Sequence, residues 1–381
     1  MARHYLDHAS TSPMRSEVVG ALRGWMKEPA GDPGRVHEEG RRVRAAIEEA
    51  RDQVAHLLRV RPRQVVFTSG GTEAVNAAVW GATRARPGGR VLCAAVEHSS
   101  VRDSSVRLAE VEDLPVDRQG RIDPDGVTAA LGGPGDELPA LVHCQWANHE
   151  VGTVQPVADV VEVCRRRGVL VHVDAAAACG HLDLDLGELD ADLVSVSGHK
   201  FGGPPGVGAL VVRRGLRVDP YLVGGQQERG RRAGMEPVGA IVGLGAAAAA
   251  LAADGVARLT HEAARARDQI DRILSSALAV DGVELVGNPD PAGRLPHLVC
   301  LGVAGVEAEP VLLGLDRAGV AAHSGSSCAS ESLEPSPVLE AMGEDPSRSL
   351  RLSVGWTTTE DDVDAFAAAF APVVAGLRSL R

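Results

Sequence analysis

Short apolar runs rich in valine and leucine alternate along the chain with longer stretches whose apolar residues return every three to four positions. The runs at 65–68, 90–95, 140–145, 169–173, 193–197 and 208–212 have the length of buried strands. Between them, 41–58 places Val43, Ile47, Val54, Leu57 and Leu58 along one helical face. Helices are likewise predicted over 72–83, 157–167 and 240–278. Strands without polar alternation, separated by helices, predict an α/β fold whose largely parallel central sheet is flanked by helices. Beyond about residue 255 the pattern shifts to strands at 283–286, 298–301 and 351–354 with helices at 308–318, 335–342 and 360–377. This predicts a smaller α+β domain. The division expected is 16–254 for the large domain, with 1–15 and 255–381 forming the small one. In parallel sheets, ligands bind at the carboxyl ends of strands, so chemistry is sought there.

At 381 residues and 44% hydrophobic content the chain has room for two cores. The alanine-rich stretch 243–253 reads as a packed helix, because alanine is weakly apolar and a strong helix former. The first residues lack the apolar core of a signal peptide, which leads us to expect a cytoplasmic protein with no membrane partner. A net charge of −12, from 39 basic and 51 acidic residues, argues against a broad nucleic-acid-binding surface. The arginine clusters at Arg41–Arg42 and Arg165–Arg167 read as solvated helix faces. The cysteines Cys93, Cys144, Cys164, Cys179, Cys300 and Cys328 show neither metal-ligand spacing nor a disulfide framework, so no metal site is expected. Most sit among apolar neighbours and read as small buried hydrophobes. Cys328 is the exception, set in Ser324-Gly325-Ser326-Ser327-Cys328-Ala329-Ser330 with no bulky anchor.

Three segments carry chemistry. Ser69-Gly70-Gly71-Thr72-Glu73-Ala74 follows the first predicted strand and opens a helix. Its glycines allow close backbone approach, and the free N–H groups of a helix start suit a phosphate. Asp174 ends the run Val171-His172-Val173; it could cap a helix, or pair with a protonated ring nitrogen. Lys200 lies in Ser197-Gly198-His199-Lys200-Phe201-Gly202-Gly203-Pro204, just past a strand and among glycines and prolines. Held beside apolar or cationic neighbours, such a lysine has the lowered pKa that Schiff-base chemistry requires.

With these segments in this order, the sequence resembles the cysteine desulfurases of the class V aminotransferase-like, fold-type I pyridoxal-phosphate enzymes. The resemblance starts at Tyr5-Leu6-Asp7-His8-Ala9-Ser10-Thr11 and runs through Val96-Glu97-His98-Ser99 and Asn148-His149-Glu150-Val151-Gly152. It closes with Ser324 to Cys328, Leu333-Glu334-Pro335-Ser336 and Leu350-Arg351-Leu352-Ser353. It implies that pyridoxal 5′-phosphate is the cofactor, carried by Lys200, which also shuttles the Cα proton. It implies that His98 stacks on the ring, that Gly71, Thr72, Ser197 and His199 hold the phosphate, and that Asp174 meets the ring nitrogen. Asn148 and His149 would stand near the ring oxygen. Arg351 would grip the carboxylate of L-cysteine. Cys328 would take the sulfur as a persulfide and pass it to an acceptor protein. A homodimer is implied as well, with no direct contact to nucleic acid.

Four positions depart from the family pattern: His149 in place of Asn, Ala177 in place of Gln, Met235 in place of Thr, and Asp32 in place of Asn. They point to a specialised desulfurase, with DNA phosphorothioation, tRNA thiolation or a thio-natural product as destinations for the sulfur. A class V lyase or aminotransferase without a thiol nucleophile, and a weakly active sulfur-transfer scaffold, are the rival readings.

Overall fold

The computed structural model describes residues 3–27, 31–325 and 335–380; Cys328 lies outside the described residues. A seven-stranded sheet forms the larger part. Its order is Val65–Thr68, Gly208–Val212, Leu193–Ser197, Leu170–Asp174, Leu141–His143, Val91–Ala94 and Val111–Leu114. Only Gly208–Val212 runs antiparallel to its neighbours; the other strands are parallel to one another.

Successive side chains in these strands enter different hydrophobic clusters, which is why the strands read as unbroken apolar runs. Phe67, Leu92, Val194 and Val211 pack with Ile47, Val54, Ile241, Leu244 and Leu251, so helix Glu38–Leu57 and the first half of Val238–Leu278 cover one face. Val66, Cys93, Leu193 and Leu210 pack with Ala74, Val75, Ala78 and Val79 of helix Gly71–Ala85 on the other. The edge strand Val111–Leu114 exposes Glu112 and Asp113, charges that discourage further strand pairing. That strand and the polar helix Ser99–Leu108 escape a reading based on apolar period, as do Ser16–Trp25 and Pro124–Ala130.

The alanine-rich stretch is helical and packed. Helix Val238–Leu278 leaves helical geometry at Ala253–Val256, where Asp254 and Gly255 take left-handed conformations. Beyond this break, Ile270 and Ile273 enter a second cluster with Leu6, Val299, Leu301, Leu315, Leu352, Phe366 and Phe370. Its frame is an antiparallel sheet in the order Ser349–Ser353, Leu298–Val303, Val283–Val286. Helices Ala308–Arg317 and Glu360–Arg378 pack on it. The amino-terminal strand His4–Tyr5 pairs in parallel with Val320–Ala321, so the first residues of the chain join its last part.

Candidate active site

Three parallel strands end on the same side of the large sheet and each delivers one chemical segment. Val65–Thr68 runs into Ser69–Gly70 and helix Gly71–Ala85. Leu170–Asp174 terminates in Asp174, and Leu193–Ser197 leads into the turn Gly198–Phe201 that holds His199 and Lys200. Together with residues from the second cluster's side they enclose a cavity of about 640 Å³. Gly71, Thr72, His98, His149, Asp174, Ser197, His199, Lys200 and Arg351 all line it. So do Ser10, Gln145, Ala177 and His323, to which the sequence reading assigned no contact except the inferred loss of an amide at Ala177.

Lys200 Nζ donates to Ala9 O at 2.6 Å and to Ser10 O at 3.2 Å. Burial and then the Arg351 charge push its pKa down to about 8, against the opposing pull of Asp7 and Asp174. A lysine so placed is far more often a neutral nucleophile at neutral pH than one in water. Asp174 Oδ1 accepts from Ala176 N and from Ser195 Oγ, both at 2.9 Å, which locks the carboxylate at the strand end.

His98 is the amino-terminal cap of helix Ser99–Leu108: its Nδ1 accepts from Ser100 N at 3.0 Å. That bond leaves the ring proton on Nε2. Burial and then His149 hold the His98 pKa down at about 4, so the ring is neutral near pH 7. The His98 and His149 rings meet edge to face at 4.9 Å. His199, also neutral, has its pKa lowered to about 4 by burial and by Lys200, and its Nδ1 lies 3.2 Å from Thr11 Oγ1.

Asn148 corrects the sequence reading, which put it beside the cofactor with His149. It is fully buried and does not line the cavity. Its Nδ2 donates to Val96 O at 3.1 Å, while its Oδ1 accepts from Glu150 N and Val151 N at 2.8 Å each. With its amide committed to the backbone, Asn148 shapes the turn that presents His149.

Arg351 is 2% exposed and reaches the cavity from strand Ser349–Ser353. Its Nη1 donates to His149 O at 2.9 Å, and its Nη2 to Ser10 Oγ at 2.7 Å and Asp7 Oδ1 at 3.0 Å. Among the described residues its buried Nε has no hydrogen-bond partner. An unpaired guanidinium N–H beside a cavity is a ready donor to a carboxylate. Asp7 and His323 hold this arginine yet carried no isolated signal; His323 pairs with it through the backbone across 28 positions of chain, from 323 to 351. Met235 is 68% exposed and away from the cavity of its own chain.

The comparisons with known proteins agree with this geometry. The aminotransferase class-V family matches residues 4–366. Cysteine desulfurase IscS 1 of Archaeoglobus fulgidus is 39% identical over 99% of this chain and 98% of its own. An IscS-like cysteine desulfurase of Mycobacterium tuberculosis is 41% identical over 95% of this chain and 93% of its own. Among solved structures, a NifS-like protein superposes with a TM-score of 0.88 at 28% identity, covering 98% of this chain and all of that one (100%). SspA in complex with cysteine superposes with a TM-score of 0.79 at 28% identity, covering 92% and 99%. The chain belongs to the class V aminotransferase family of pyridoxal-phosphate enzymes and, within it, to the IscS-like cysteine desulfurases.

The residues present fit that cofactor. Gly70 adopts φ +156° and ψ −177°, a region open in practice only to glycine, and a Cβ there would project into free space at the cavity wall. Gly71 packs so tightly that a Cβ would lie 3.3 Å from Ser197 Cβ. The helix start behind them, with Thr72, Ser197 and His199, offers donors for a phosphate. Asp174 lies in the same cavity to meet a cationic ring nitrogen, and the amine of Lys200 is available to the aldehyde.

Proposed function

We propose that this desulfurase binds L-cysteine between Arg351 and Lys200, transfers its sulfur to Cys328 as a persulfide, and delivers it from there to an acceptor protein. The observation that carries this reading is the cavity itself, where Lys200, Asp174 and Arg351 line one space. Bound pyridoxal phosphate supplies an electron sink for the pair released at the substrate Cα. Thr72, Ser197, His199 and the Gly71 backbone hold its phosphate, Asp174 its ring nitrogen, and His98 its face.

Arg351 orients the substrate carboxylate through Nε while Asp7, Ser10 and the His149 carbonyl fix its other nitrogens. Lys200 then takes the Cα proton. The Cys328 thiolate attacks the substrate sulfur; the new S–S bond forms as the substrate Cβ–S bond breaks, its electron pair remaining with the substrate. Protons returned to Cβ and Cα complete alanine, and the sulfur stays on the protein as Cys–S–SH. His149, facing the cavity where the family carries Asn, stands to contact the cofactor's ring oxygen, while Ala177 leaves no amide there.

The second hydrophobic cluster, built from Leu6 and residues beyond the Ala253–Val256 break, supports a division into 16–254 and 1–15 with 255–381, with Leu259, Leu298, Cys300 and Leu339 packing across it into the large cluster. Exposed Tyr221, Leu222, Val223 and Met235 support a homodimer. Acceptors for which this enzyme is a candidate include the sulfur-accepting protein of a DNA phosphorothioation system, and capture with the persulfidated protein distinguishes them. The central test is Cys328→Ser. Alanine formation from L-cysteine should drop by on the order of 100-fold or more, with the visible band of the bound cofactor intact. Sulfide release at the unaltered rate would remove Cys328 as acceptor.

A further inference from the structure

Two histidines meet behind the lysine turn, and the chemistry above makes no use of either. Neither His181 nor His297 lines the cavity. His181 lies in the loop after strand Leu170–Asp174, and its Nε2 donates to Lys200 O at 3.2 Å. A carbonyl only accepts, so the ring proton sits on Nε2. Gly180 makes the approach possible: it takes φ +81°, and a Cβ there would fall 2.2 Å from the Cβ of Phe201, the residue after Lys200. Against the His181 ring lies that of His297, parallel to within 13° with centroids 3.5 Å apart. Burial holds the His181 pKa down at about 4 and that of His297 well below its ordinary value. Both rings are therefore neutral near pH 7 and stack without charge repulsion.

His297 belongs to the other side of the seam. It immediately precedes strand Leu298–Val303, is 2% exposed, and its carbonyl accepts from Val354 N at 2.9 Å. In that strand Cys300 pairs with Arg351 and Leu298 with Ser353. A short path thus runs from the Lys200 carbonyl, through two imidazole rings, to the strand pair that carries Arg351. The preceding carbonyl, His199 O, accepts from Ser12 N at 3.0 Å, so two successive carbonyls of the lysine turn are held from outside it.

We propose that His181 and His297 are positioning residues that fix the spacing between Lys200 and Arg351 across the seam, and so select an amino acid over a simple amine. This role rests on Arg351 reading the substrate carboxylate. Its physical basis is two-point attachment. L-Cysteine presents its amine at the Lys200 end and its carboxylate to Arg351 in a single pose, so both contacts form only where their spacing matches the substrate. An aminothiol without a carboxylate engages one end alone and is indifferent to that spacing.

The test uses the holoenzyme with L-cysteine and with cysteamine, which lacks the carboxylate. The readout is the concentration of each that half-saturates the change in cofactor absorbance. His297→Leu, which fills the space without a flat ring, should raise the value for L-cysteine about fivefold and move that for cysteamine less than about twofold. His181→Leu, which removes the donor to Lys200 O, should do the same. His297→Phe, which keeps a flat ring, should stay within about twofold of wild type for both ligands. Arg351→Ala sets the scale by bringing the two ligands to similar values. The two leucine substitutions are independent, so if one fails to fold the other decides. Wild-type values for L-cysteine in His181→Leu and His297→Leu, with the preference lost in Arg351→Ala, overturn this inference alone. Equal shifts for both ligands also overturn it, because they mark a general distortion of the lysine turn. If Arg351→Ala keeps the full preference for L-cysteine, the reading of Arg351 fails and this role with it.

Discussion

Glu97 sits next to His98 and is 2% exposed, with Oε1 accepting from Gln145 N at 2.5 Å and Oε2 without a partner among the described residues. The arginine on the following helix, Arg102, is engaged with Asp113 at 2.8 and 3.1 Å. Burial first, and then repulsion from Asp174, push the Glu97 pKa from 4.5 up to about 8, so the side chain is protonated at neutral pH. Once ionised, Glu97 also raises the pKa values of Cys93 and Cys144, whose thiols burial already holds high. A protonated Glu97 places no negative charge beside Asp174 and still hooks the backbone that leads to His149. Folded protein keeps a proton that the unfolded chain loses near pH 4.5, so this contribution to stability is complete below that pH and gone once pH passes about 8. Glu97→Gln removes the titration. The melting temperature of the variant relative to wild type should rise by roughly 5 °C between pH 5.5 and 8.5. A difference that stays constant with pH would show that Glu97 is already ionised in the native state.

Between elements, the phosphate-side loop depends on a buried ion pair. Arg51 of helix Glu38–Leu57 donates through Nη1 and Nη2 to Glu228, both at 2.7 Å, and each side chain is 1% exposed. Glu228 Oε2 also accepts from Phe67 N at 2.9 Å, and Arg51 lies over the Phe67 ring at 4.7 Å. Three elements are thereby joined: the helix, the strand that leads to Gly70, and the turn Gln227–Gly230. That turn holds Glu228 and Arg229 at φ +48° and +59°, left-handed conformations that non-glycine residues adopt at a cost. Four residues on, Arg232 pairs with Glu73 at 2.8 and 3.1 Å, and Glu73 accepts from Ser69 N at 2.8 Å. Glu228→Ala removes the bidentate partner of buried Arg51, leaving it Val65 O at 2.9 Å and the longer contacts to Glu48 at 3.3 and 3.4 Å; it should lower the unfolding free energy by about 3 kcal/mol in denaturant titrations. A loss below about 1 kcal/mol would mean that water enters to solvate Arg51.

At the scale of the molecule, the cavity lies at a seam between two hydrophobic clusters. The large sheet contributes Asp174, Ser197 and Lys200, while the second part contributes His323 and Arg351. The seam is held beneath the cavity by Arg15, which pairs with Glu262 at 2.8 and 2.7 Å and donates to Phe201 O, next to Lys200, at 2.9 Å. Elsewhere the segment that carries Arg231 and Arg232 exposes Val223 (79%) and Met235 (68%), apolar side chains that a second copy could cover. If a second copy covers it, Val223→Asp should convert a dimer to a monomer in sedimentation velocity with the circular dichroism spectrum unchanged. A monomeric wild type would remove this face as a dimer contact.

Periodicity and spacing were enough to place most strands and helices and the segments around Gly71, Asp174 and Lys200. Those signals are local: a buried strand must be apolar on both faces, and a lysine between strand end and glycine turn is an unusual position whatever surrounds it. Polar or edge elements such as Ser99–Leu108 and Val111–Leu114 carry no such period, and the antiparallel sense of Gly208–Val212 leaves no mark on its composition. Only the folded chain decided that His149 rather than Asn148 faces the cavity, because that depends on carbonyl and N–H groups already claiming the Asn148 amide. It alone brought Asp7 and Ser10 to Arg351, since partners 344 and 341 positions apart are set by packing and not by spacing. The proton on Glu97 and the stack of His297 on His181 belong to the same class. Both arise from what the fold places around a side chain, which no sequence pattern records.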